Sequence, residues 1–158
     1  MKQINVKETM HEMLLRQMGA NVICFLGKQC FVKFKINGYE ISYAYNINAK
    51  EKYFLQRVRP YPMIAGVFED LKDVVNMIQI DVEQFKNVIE SGKFEKFLEL
   101  NKKILDTARN LEDLFLYYIV DEQVFDEISK EIEKVREKIY ECAEPERRVY
   151  FKKDPETL

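Results

Sequence analysis

The residues of this chain best suited to chemistry gather in one stretch, Tyr53 to Pro62, which reads YFLQRVRPYP. Aromatic rings and guanidinium groups alternate there, and an earlier alternating segment adds Lys33 and Lys35. Cations bind phosphates and flat rings stack on unpaired bases, so Lys33, Lys35, Tyr53, Arg57 and Arg59, with Phe25 and Phe31 beside them, have the residue types that single-stranded nucleic acid requires. The same residue types also suit an ordinary solvated sheet face, on which Glu40 would pair with Arg59 across strands. Which description holds depends on which face each side chain occupies.

Other chemistries find fewer parts. His11 is the only histidine, and Leu15 stands where a second histidine would complete a metalloprotease helix motif. Cys24, Cys30 and Cys142 form an odd set without a Cys-x-x-Cys pair, as expected of reduced thiols, and with one histidine a zinc site of common type lacks ligands. Gly27-Lys28 has no glycine-rich lead, so it reads as a hairpin turn and not a phosphate loop. The acidic pairs Glu69-Asp70, Asp121-Glu122 and Asp126-Glu127 fall near helix starts, where the macrodipole favours negative charge. No catalytic residue, metal or cofactor is assigned, and the reading leans away from an enzyme.

The 158 residues are 47% hydrophobic, enough for one domain with a sizeable core. The longest apolar run, Leu114 to Val120, falls well short of the ~20 residues of a membrane-spanning helix. A soluble cytoplasmic protein without membrane contact is expected, since the start of the chain also lacks the pattern of a secretory signal. Residues 1–62 hold ten Lys/Arg against four Asp/Glu, and residues 63–158 hold fifteen against twenty-three. The first part is thus +6 and the second −8, a polarity able to steer an anionic partner or favour self-association.

The elements that would position these residues follow from periodicity. Asn5 as N-cap with Glu8 in a capping box begins a helix that Gly19 stops. Alternating segments at 21–26, 30–36, 39–46 and 52–59 predict an antiparallel meander, with Asn37-Gly38 as its sharpest turn. That turn sets Ile36 opposite Tyr39, Phe34 opposite Ile41 and Val32 opposite Tyr43. Pairing Ile41 with Val58 and Tyr45 with Phe54 keeps the apolar side consistent and leaves Tyr53, Arg57 and Arg59 on the open face. Pro60 and Pro62 are expected to end the sheet.

Beyond them the period changes to alternating threes and fours. Seams run through Phe68, Leu71, Val75, Ile78, Val82, Phe85 and Ile89; through Phe94, Phe97, Asn101, Ile104, Ala108, Leu111, Phe115 and Tyr118; and through Phe125, Ile128, Ile132, Val135, Ile139 and Cys142. Apolar residues beside the seams make the stripes broader than one helix hairpin needs.

The expected fold is therefore α+β, one domain over 1–158. An N-terminal helix and a four-stranded antiparallel meander fill 1–62, a bundle of three long helices fills 63–142, and a tail at 143–158 carries RRVYFKK as a candidate edge strand. The expected function is that of a small interaction or assembly protein, binding a protein partner through the basic sheet face and forming a homodimer through its helices. The alternative is a single-stranded nucleic-acid-binding protein using that same face.

Overall fold

The computed structural model describes the backbone of residues 6–25 and 29–158, and side chains from Met10 onward. The expected cap at Asn5 and Glu8 and the turn at Gly27-Lys28 lie outside the described residues. The chain divides after Phe94 into two compact units, and no helix among the described residues is long and apolar enough to cross a membrane.

The architecture is α+β as expected: helix α1 (Val6–Gln17), an antiparallel sheet, then long helices α2 (Leu71–Glu90), α3 (Phe94–Tyr117) and α4 (Glu122–Glu141). The sheet has five strands, not four: β1 (Asn21–Phe25), β2 (Gln29–Ile36), β3 (Tyr39–Ile47), β4 (Tyr53–Arg59) and β5 (Met63–Phe68), each beside its sequence neighbours. Asn37 (φ 47°) and Gly38 (φ 90°) both take positive φ, the demand of a mirror-image hairpin turn, and the β2–β3 register is the expected one.

The prolines punctuate the sheet without ending it. Pro60, which follows a cis peptide bond, and Pro62 occupy the link between β4 and β5, where no ladder N–H is needed. The run MIAGVF then supplies β-favouring residues and pairs with β4. Gly66 makes this pairing feasible: its φ is +145°, and a Cβ there would meet the Phe68 ring at 3.3 Å.

The inner face of the sheet carries Val22, Cys30, Val32, Phe34, Ile41, Tyr43, Tyr45 and Leu55, all buried. Leu15 of α1 and the α2 stripe Leu71, Val74, Val75, Ile78, Val82, Phe85 and Ile89 are buried as well. Asp70 caps α2 by accepting from the Lys72 N–H. The first of the three predicted seams thus closes on the sheet, because a half-apolar sheet needs a second layer and α2 is the broad stripe next in the chain. Phe94 plugs the end of this core, with its ring 4.9 Å from Tyr39 and 5.7 Å from Phe85. Full burial of one Leu, Ile or Val contributes about 1.5–3 kcal/mol, so this two-layer core is the main source of the unit's stability.

The second unit differs sharply, since no residue from Glu95 to Leu158 is buried. Phe115 and Phe125 meet edge to face at 6.2 Å near the α3–α4 turn. The tail holds a single 3-10 turn, Pro145–Arg147, and no strand. RRVYFKK instead wraps on Arg148, which donates to the Tyr150 and Lys153 carbonyls and pairs with Asp154, so those backbone groups are satisfied without a sheet edge.

Candidate binding surface

β4 decides the character of the outer sheet face. A bulge at Ser42/Tyr43 lets Ser42 oppose Arg59 and Tyr43 oppose Arg57, leaving Val58 as the extra residue. Tyr45 consequently faces Leu55 rather than Phe54, and the register inferred from alternation is off by one. Tyr53 and Arg57 therefore lie on the inner side, whereas Lys33, Lys35 and Arg59 lie on the outer side and are exposed. Three of the five residues expected on the open face are brought together there, and two are not.

Arg57 is 6% exposed and held through its terminal nitrogens, while its buried Nε has no hydrogen-bond partner among the described residues. Its Nη1 donates to both carboxylate oxygens of Asp81 at 2.9 and 3.0 Å, and Tyr43 donates to the same carboxylate at 2.7 Å. The guanidinium carbon lies 4.4 Å from the Tyr61 ring centre and 4.8 Å from that of Phe85. Cation–π attraction in a desolvated setting adds to the ion pair. Burial, and then the adjoining Asp81 charge, push the Tyr43 hydroxyl pKa well up, and burial pushes Tyr61 up as well. The cluster is a structural clamp between sheet and α2. A signal for it existed in the sequence: Asp81 sits three residues after Ile78 and four before Phe85, a carboxylate on the buried stripe that required a cation opposite.

The open face is instead apolar at its centre. One row across the sheet is Asn21, Lys33, Ser42 and Arg59; the next is Ile23, Phe31, Ala44, Gln56 and Ile64; a third is Phe25, Gln29, Asn46, Phe54 and Val67. Ile64 is 70% exposed, Phe25 57%, Ile23 52% and Phe31 41%. Phe25 and Phe31 are in edge-to-face contact at 6.2 Å. The cations form one border of this patch. Lys33 pairs with Glu40 at 3.1 Å, and its hydrogen bond holds the Glu40 carboxyl below its usual pKa. Exposed apolar side chains spread over two neighbouring rows are the mark of a binding surface.

A second exposed apolar surface lies on α3 and α4. Ile104, Ile132, Val135 and Ile139 of the predicted seams remain half-exposed, as does Leu105. The fifth strand and its outward Ile64 and Val67 were missed by sequence reasoning, because prolines ahead of the run argued for a stop.

No protein-family model, curated protein or solved structure matches the chain.

Proposed function

We propose that this chain is a small cytosolic interaction or assembly protein, which receives a protein partner on the outer sheet face and associates with a second copy through α3 and α4. One observation carries the reading: α3 and α4 bring two long apolar seams into a unit in which no residue is buried. Their half-exposed Leu, Ile, Val and Phe side chains leave apolar surface of the kind that a specific interface, ~800 Å² from each partner, covers.

For the sheet face, protein is favoured over nucleic acid. With Arg57 and Tyr53 turned inward, three cations among the described residues of these strands border the rings, and one of them is engaged by Glu40. The test has two arms. Light scattering at high micromolar concentration should give a mass near two chains, reduced to one by Ile132→Glu with Ile139→Glu; a persistent wild-type monomer overturns self-association. Partners captured from cells by the wild-type chain should be lost with Phe31→Asp and Ile64→Asp while the circular dichroism is unchanged. Salt-sensitive binding of a labelled oligonucleotide, abolished by Arg59→Ala, would instead favour nucleic acid.

A further inference from the structure

The reduced thiols expected of Cys24 and Cys30 are instead joined to each other. They are direct partners across β1 and β2, on the inner face against which α1 packs. Glu12 of α1 reaches the same corner: one of its carboxylate oxygens and both sulfurs all lie within 4.8 Å of one another. Cys30 is buried, and Glu12 and Cys24 are half-buried, so the cluster is partly enclosed.

We propose that Glu12, Cys24 and Cys30 form a redox-gated site for one thiophilic divalent cation such as zinc, closed while the disulfide is intact and open when it is reduced. Two thiolates at ~2.3 Å from a tetrahedral ion stand ~3.8 Å apart, a spacing that two cysteines with Cα atoms 4.1 Å apart can reach by side-chain rotation. Glu12 supplies the third ligand, and the fourth position is left for water, so histidine is not needed. Arg16 stands beside the cluster, 3.6 Å from the Glu12 carboxylate and anchored by a 3.0 Å hydrogen bond to the Val22 carbonyl. Its charge offsets the surplus negative charge of two thiolates and a carboxylate around a divalent ion, and favours the thiolate form. In reducing compartments such bonds are characteristically transient.

The opening step balances as thiol–disulfide exchange. A dithiol reductant delivers two electrons and two protons, the Cys24–Cys30 bond breaks, two S–H groups form, and the reductant leaves as its own disulfide. The cation then displaces the two thiol protons into solvent.

The test uses the whole chain, reduced and freed of reductant under argon, then titrated with zinc against a chromophoric chelator and with cadmium while the thiolate-to-metal charge-transfer absorption is followed. One ion per chain is expected for the reduced protein and for Cys142→Ser, and none for the disulfide form. Cys24→Ser should lower affinity at least ~100-fold and Glu12→Gln at least ~10-fold, since losing even an outer-shell partner of a ligand costs about 10–100-fold. A reduced chain that takes up no stoichiometric ion, or Cys24→Ser that binds as tightly as wild type, overturns the site. Unchanged affinity in Glu12→Gln, a substitution on a half-exposed helix position that leaves the sheet intact, overturns the three-ligand assignment.

Discussion

Removing the carboxylate of Asp81 probes the inward placement of Arg57 most directly. In Asp81→Ala the guanidinium, whose side chain is only 7% exposed, loses its counter-charge while Tyr61 and Phe85 still enclose it. Breaking one side of a buried ion pair costs about 3–5 kcal/mol, and Tyr43 also loses its acceptor, worth about 1 kcal/mol. Domains of this kind have ~5–15 kcal/mol in total, so the loss is a large share of it. At this chain length it corresponds to a fall in midpoint of about 8–24 °C. Arg57→Leu should cost less, because Asp81 is 15% exposed and keeps the Tyr43 hydrogen bond. The double variant Arg57→Leu with Asp81→Ala should recover much of the loss, giving a coupling of at least ~2 kcal/mol. Urea unfolding followed by circular dichroism measures all four proteins, the chain having no tryptophan to report. If Asp81→Ala costs under ~1 kcal/mol, or if the two single changes simply add, then the pair is not a buried one. Arg57 would then stand on the outer face, in the register that alternation alone suggests.

Further outcomes follow from other parts of the fold. Tyr43 has a folded-state pKa raised above its unfolded value, so its contribution is fully present below about pH 10 and is lost as pH rises further, at up to ~1.4 kcal/mol per pH unit; Tyr43→Phe should flatten the alkaline fall in urea midpoint. Gly66→Ala forces a side chain into φ +145° against the Phe68 ring and should cost ~1–3 kcal/mol, read from thermal unfolding, whereas an unchanged midpoint would mean that the β5 pairing is wrong. Lys33→Gln should raise the Glu40 pKa toward its usual value in an NMR titration, and raised salt should do so in part; no movement would remove the Lys33–Glu40 contact. Ile78→Ala, at a fully buried position of α2, should destabilise by ~2–5 kcal/mol.

Much of this architecture is local, and was legible for that reason. Asn37-Gly38 dictates its own turn through φ alone, and the turn carried the β2–β3 register with it. The α2 stripe from Leu71 to Ile89 was visible as a heptad, and each of its seam residues in that span is buried. Pairings that depend on distant partners were not legible. The bulge at Val58 turns Arg57 toward Asp81, 24 residues further on, which lies on the buried stripe where a cation can meet it.

The amino-acid order by itself determined the helix and strand periods, the hairpin at Asn37-Gly38 and the α+β class, since each depends on dihedral preference and on side chains a few positions apart. Tertiary structure alone decided that a fifth strand forms past the prolines, that Arg57 turns inward while Arg59 stays out, and that Cys24, Cys30 and Glu12 share a corner. A single extra residue in a strand reverses the faces of all that precede it in that pairing, and only the energy of packing against another element selects between the two.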